Sequence, residues 1–312
     1  MAQHYPRLWS AIYYGTARQL NPDTVLGPFL RSGFRGLMQQ QAPDVVISAL
    51  PVVNGLLAQA ARPSGVRVEV VLTDWHSIHP FWVARGVDHY TTPTDSARAD
   101  CIRLGAPPRL VEVIGIPVRP EFTTSPSRSP RDRLTELGLD SDRFTILVMV
   151  GAEGSPRALR NVAHLAMADS DAQLVVICGR SHELRRRVER LPARMPVRAL
   201  GFVHDVASLM RATDLLVTKA GGLTLAEAFS CAKPVIIHDL LPGQEMGNLQ
   251  YLQRFGAVDY APTPSALVRS VQRLARDSAL RARLAACGAQ LARPLAARQI
   301  AQNVLERLER SA

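Results

Sequence analysis

The stretch Asp214–Asn248, DLLVTKAGGLTLAEAFSCAKPVIIHDLLPGQEMGN, decides how the whole chain reads. Asp214–Thr218 is a short apolar run that stops at a Gly221-Gly222 turn. LTLAEAF then reads as helix, and Pro234–His238 is a second apolar run. Near-continuous Val/Ile/Leu runs bounded by Gly and Pro fit strands covered on both faces of a parallel sheet. The same alternation continues outward. Val45–Leu50, Arg67–Thr73, Phe144–Val150 and Leu174–Cys178 read as further strands. Asn161–Ala168, His182–Arg190 and Val206–Arg211 read as helices between strands. The chain is therefore α/β, with right-handed crossovers.

At 312 residues the chain has room for two domains. The segment TTSPSRSPRDR, from Thr123 to Arg133, is rich in Ser, Thr, Pro and Arg and has no periodicity. It reads as a linker. The expected division is a first domain over 1–121, a linker over 122–141 and a second domain over 142–290. A helical end over 291–312 follows, with Ile300, Val304 and Leu308 in one apolar stripe after Pro294.

Composition narrows the class. Hydrophobic residues make up 47% and no apolar run approaches the roughly 18–20 residues of a membrane-spanning helix, so an ordinary globular protein is expected. Arg7 is followed by no apolar core, so no signal peptide is expected. The cysteines Cys101, Cys178, Cys231 and Cys287 form no CxxC pair. That points to a reducing cytosol and away from disulfides or zinc. The net charge of +10 is carried mainly by arginine. It suits a phosphate ligand or an anionic membrane face, or reflects composition alone. No RNA-binding aromatic signature accompanies it, so nucleic acid is not the expected partner.

In open parallel sheets ligands bind outside the carboxyl ends of the strands. The residues there are GAEGS (Gly151–Ser155), GRSH (Gly179–His182), GFVHD (Gly201–Asp205), KAGGLT (Lys219–Thr224) and LLPGQE (Leu240–Glu245). Five glycine loops on one sheet edge imply an extended ligand cleft. A helix starting at Gly221-Gly222 offers free N–H groups and a positive dipole end to a diphosphate. Glu227, one turn on from Thr224, can accept both hydrogens of a ribose diol; the other reading is a tight turn with an exposed Glu. No GKS or GKT follows the glycines, so this is not a P-loop. Gln244, Glu245 and Asn248 can read sugar hydroxyls, or simply begin a helix. In the first half, TDWHSIHPFW (Thr73–Trp82) gathers Asp74, His76 and His79. Its ligands are too sparse for a closed metal site. Asp74 and His79 are candidates for acid–base work, or cap a loop.

KAGGLTLAEAF followed by KPVIIHDLLPGQEMGNLQYL resembles the diacylglycerol glycosyltransferases, which include monogalactosyldiacylglycerol synthases and processive diacylglycerol glucosyltransferases. PDVVISALP (Pro43–Pro51), TDWHSIHPFW, VIGIPVRPEF (Val113–Phe122) and LGFVHDVASLMRATDLLVTKAGG carry the resemblance along most of the chain. It implies a GT-B fold, two Rossmann-like domains with a cleft between them. It also implies an inverting, metal-free and cofactor-free transfer of a hexose from a UDP-sugar to a diacylglycerol-type lipid. Gly221, Gly222, Leu223 and Thr224 would hold the diphosphate and Glu227 the ribose. Gly201, Phe202 and Val203 would line the uracil pocket, and Gln244, Glu245 and Asn248 would read the sugar. Gly151, Arg180 and Gly243 complete the expected donor site, Arg180 beside the departing charge. The lipid would enter through the first domain, with Trp75, Phe81 and Trp82 as surface aromatics at an anionic membrane. A cytoplasmic protein, peripheral on the inner membrane face, is the expectation.

The family opens with a strand and a glycine-histidine loop, and MAQHYPRLW does not. The first domain is expected to be incomplete, with its missing segment encoded upstream or supplied by a separate chain, as in a homodimer. The alternatives are a non-catalytic or partner-requiring nucleotide-sugar binder, a nucleotide-sugar epimerase, and a relative of the peptidoglycan-lipid N-acetylglucosaminyltransferases.

Overall fold

The computed structural model describes residues 22–125, 129–150, 156–241 and 243–310. The chain divides into two compact units. One runs to Pro117 and takes in Leu295 onward; the other is Val118–Pro294.

The first unit holds α1 (Pro22–Gln41), β1 (Val45–Ser48), α2 (Asn54–Ala61), β2 (Arg67–Val71), β3 (His89–Thr92), α3 (Asp95–Arg103) and β4 (Val111–Val113). Its strands are parallel and ordered β1-β2-β3-β4. Alternation along β2 sends Val68 and Val70 into one core, with Leu57, Trp82 and Tyr90. Arg67, Glu69 and Val71 belong to the opposite face. The C-terminal helix Ala296–Glu309 covers that face. Its Ile300 and Val304 cluster with Val71 and Ile114, while Arg307 forks onto Glu69 with bonds of 3.0 and 2.6 Å.

The second unit continues with α4 (Asp132–Glu136), β5 (Phe144–Met149), α5 (Pro156–Ala166), β6 (Ala172–Ile177), α6 (His182–Glu189), β7 (Val197–Leu200) and α7 (Val206–Ala212). It then adds β8 (Leu215–Lys219), α8 (Gly222–Ser230), β9 (Val235–Asp239), α9 (Met246–Arg254), β10 (Asp259–Tyr260), α10 (Pro264–Arg276) and α11 (Ser278–Leu291). The C-terminal helix is α12. The sheet is parallel throughout, in the order β10-β9-β8-β5-β6-β7. Val148, Val176, Val217 and Ile236 fill its core, as their β-branched runs require.

Several boundaries differ from the sequence reading. The first expected strand stops at Ser48, because Pro51 begins a separate 3-10 turn. The segment read as a patternless linker contains α4. Within it Phe122 and Leu134 are fully buried, and Arg131 pairs with Asp214 at 2.7 Å. Two large apolar side chains and one ion pair are enough to pack a polar segment. Among the described residues, no helix is long and apolar enough to cross a membrane.

α11 packs against α8 at Gly288. A Cβ there would lie 2.5 Å from Cδ1 of Phe229, which is buried in α8. Alanine would gain up to about 1 kcal/mol of helix propensity. Overpacking costs about 1–3 kcal/mol and outweighs it. Gly288→Ala is therefore expected to lower the denaturation midpoint; an unchanged or raised midpoint would contradict this packing.

Candidate functional site

In a doubly wound sheet the ligand crevice opens where successive strands depart in opposite directions. Here that point lies between β5 and β8, which pair from Ile146–Leu215 to Val148–Val217. From β5 the chain proceeds outward to β6 and β7, and from β8 it proceeds the other way to β9 and β10. The loop after β5, with the expected Gly151, lies outside the described residues. The loop after β8 is the glycine turn.

Gly221 is the N-cap of α8, at φ −76° and ψ 127°, with no side-chain cap bond. The first helical bond here runs from Leu225 N to Gly221 O. The amides of Leu223 and Thr224 precede it and have no partner within the helix. Leu223 is exposed and Thr224 half-buried. This end of α8 can therefore receive an anion on amide groups and the positive end of the dipole.

One turn along the same helix is Glu227, half-buried. Burial pushes its carboxyl up to about 7; the Arg119 charge opposes that shift and Glu121 adds to it. Arg119 pairs with Glu121 at 2.7 Å and donates to the carbonyl of His204 at 3.3 Å. A carboxyl at the edge of ionisation is suited to accept from a neutral diol.

The loops after β6 and β7 reach the same sheet edge. Phe202 is 55% exposed. The guanidinium of Arg180 stands 5.2 Å from its ring centroid, and the His204 ring meets it edge-on at 4.9 Å. Val203 and Gly201 beside it are half-buried. An open aromatic face with a cationic neighbour can stack a flat base.

After β9, Gly243 has φ +88°, which strains any other residue. Gln244 is half-buried, and its side chain has no hydrogen bond among the described residues. Glu245 and Asn248, expected to read the sugar, are both tied into the turn in the ligand-free chain. Both are buried. Glu245 takes the ammonium of Lys219 on one oxygen and Leu241 N, at 2.8 Å, on the other. Asn248 donates to Ala220 O at 3.1 Å. The helix begins at Met246, with Glu245 as its N-cap, rather than at Gln244. Beneath this turn His238 is hydrogen-bonded to Asn161 at 2.7 Å. Burial holds the His238 imidazole at about 4, so it is neutral near pH 7.

In the first unit, Asp74 and His79 are both buried. Asp74 accepts from the Trp82 indole at 2.9 Å. His79 Nδ1 accepts from Phe81 N at 3.2 Å, and its ring packs edge-on against Phe81. The structure thus engages both candidate bases in holding their own loop. It also corrects the surface aromatics: Trp75 and Trp82 are 3% and 2% exposed, and Phe81 is half-buried. Asp74 satisfies the indole N–H of Trp82, so that ring can go inward. No group of three or more His, Cys, Asp or Glu able to hold a metal occurs among the described residues.

The sequence reading passed over Lys219, Arg119 and Glu121 as site residues. Lys219 stood at the head of the quoted glycine turn, and the other two lay inside VIGIPVRPEF.

Residues 1–118 match the family described as monogalactosyldiacylglycerol (MGDG) synthase, and residues 142–290 match glycosyl transferases group 1. The chloroplastic monogalactosyldiacylglycerol synthase of Spinacia oleracea is 32% identical over 87% of this chain and 54% of its own length. The processive diacylglycerol beta-glucosyltransferase of Bacillus pumilus (strain SAFR-032) is 30% identical over 87% of this chain and 71% of its own. The chain thus spans about half the length of its plant relatives. Among solved structures, S. aureus MnaA with UDP superposes with a TM-score of 0.70 at 16% identity, covering 93% of this chain and 83% of that one. That likeness concerns the fold, which is of the GT-B type.

Proposed function

From the chain's membership of the diacylglycerol glycosyltransferase family, we propose that it moves a hexose from a UDP-sugar to a diacylglycerol-type lipid, with inversion, giving a β-glycolipid. One observation carries the donor half of this reading. The uncapped start of α8 sits at the sheet's switch point, with Glu227 one turn in. In that reading the amides of Leu223 and Thr224 take the diphosphate, and their dipole steadies the charge that develops as the sugar leaves. Glu227 takes the ribose diol. Phe202 and Val203 border the uracil, with Arg180 stacked on Phe202. Gln244 reads the sugar from the turn that Gly243 permits. The lipid acceptor reaches the protein at an anionic inner membrane face, which a charge of +10 favours.

The acceptor hydroxyl must lose its proton as it attacks C1. Asp74 and His79, the candidates for this role, are each drawn into a bond within their own loop. This observation favours a second reading, a donor-binding chain that turns over only with a further segment or partner copy.

Transfer from radiolabelled UDP-glucose or UDP-galactose to diacylglycerol vesicles separates the two. Labelled glycolipid from the purified chain is expected. Donor binding without glycolipid would overturn the reading of this chain as sufficient for transfer.

A further inference from the structure

The proposed donor site contains an ion pair with no role so far. Lys219 ends β8 at an irregularity in its pairing with β9, where Thr218 faces Ile237 but Lys219 faces Asp239. Such a bulge re-aims the side chain that follows it. The Lys219 ammonium meets Glu245 Oε1. A methyl on Gly221 would stand 3.4 Å from Lys219 Nζ and 3.5 Å from Glu245 Oε1, so the pair lies against the glycine turn itself.

The two partners are not equivalent. The Glu245 side chain is 5% exposed and keeps a second bond, from Leu241 N at 2.8 Å, whatever Lys219 does. The Lys219 side chain is 28% exposed, carries three donors and hangs on a flexible stem. An ammonium so placed can exchange one carboxylate for a dianionic diphosphate without being left unpaired.

We propose that Lys219 is a catalytic residue of the donor site that contacts the diphosphate, and that Glu245 is its resting partner, released when the donor enters. This rests on the donor-site reading above. When the C1–O bond to the diphosphate breaks, its electron pair passes to the phosphate oxygen. Lys219 offsets that charge beside the α8 amides and neither gives nor takes a proton. Glu245, relieved of the ammonium, then has a free oxygen for a sugar hydroxyl. Charge neutralisation and sugar recognition become one event.

The test is calorimetric titration of UDP and of uridine into the wild-type chain, Lys219→Met and Glu245→Gln, with thermal melts confirming that each variant is folded. Lys219→Met is expected to weaken UDP by about 10–100-fold, as loss of a charge-assisted bond does, and to leave uridine unchanged. Glu245→Gln is expected to tighten UDP, because it frees the ammonium while its amide oxygen still accepts from Leu241 N. If both variants weaken UDP alike, or Lys219→Met weakens uridine as much as UDP, the pair only braces the turn and the proposal is overturned. Uridine binding without any gain from the diphosphate in the wild type would also overturn it, while leaving the base and ribose reading intact. A wild-type chain that binds neither ligand would instead overturn the donor-site reading.

Discussion

Replacing Arg307 by alanine is expected to remove about 3–5 kcal/mol from the stability of the unit that contains it, the cost of breaking a buried ion pair from one side. The Glu69 side chain is 3% exposed, in the second strand of the four-stranded sheet. Both of its oxygens accept from the Arg307 fork. The Arg307 carbonyl also accepts from the Arg67 guanidinium at 2.8 Å, and Asn303 on the same helix donates to Glu112 at 3.1 Å. Truncating Arg307 leaves a nearly buried carboxylate in the sheet without the fork that pairs both of its oxygens. The double change Glu69→Leu with Arg307→Leu removes both charges and should recover most of the loss. Urea denaturation of the two variants decides it. A single variant within about 1 kcal/mol of wild type would mean that solvent reaches Glu69 and that α12 is less tightly docked.

The second large effect concerns Glu227, where stability and binding should move in opposite directions. Its carboxyl titrates at about 7, above the ordinary 4.5, because burial disfavours the charge. The folded chain holds that proton more tightly than the unfolded chain. The ionised form is therefore a cost to folding that is absent below about pH 4.5, grows between 4.5 and 7, and is complete above. Glu227→Gln should accordingly raise the stability of its unit at pH 8, by about 1–2 kcal/mol once partial exposure is allowed for. The same variant should weaken UDP-glucose by about 1–3 kcal/mol, because a charge-assisted bond to the ribose is lost. In the wild type the ionised carboxylate is the binding form, so affinity for UDP-glucose should climb with pH up to about 7 and then level. The variant should show no such climb. Calorimetry between pH 5.5 and 8.5 reads both, and a flat wild-type profile would remove Glu227 from the ribose.

Much of the second unit was legible because its strands are continuous apolar runs. Val235–Asp239 and Phe144–Met149 could be little else. β3 escaped notice for the opposite reason. Its His89, Thr91 and Thr92 are buried although polar, and Thr92 is satisfied by the Glu112 carbonyl at 3.0 Å. Buried polar residues with distant partners leave no local signature. Glu69 hid for the same reason, since its partner lies 238 residues away. A β-strand pattern would have placed that face in solvent. The aromatic loop at Thr73–Trp82 misled because nothing in its sequence says whether Asp74 faces a substrate or the Trp82 indole. In the proposed donor site, the positions of the glycine turn, Glu227 and Gln244 after strands were legible. The commitment of Glu245 to Lys219 was not, because the two residues stand 26 positions apart and each was read within its own motif.

The central claim is that a UDP-sugar sits on the start of α8. A crystal structure of the chain with UDP tests it most directly. The predicted result has the diphosphate within hydrogen-bond distance of the Leu223 and Thr224 amides, the ribose hydroxyls on Glu227, and the uracil beside Phe202. UDP bound elsewhere, with the α8 amides and Glu227 untouched, would contradict it.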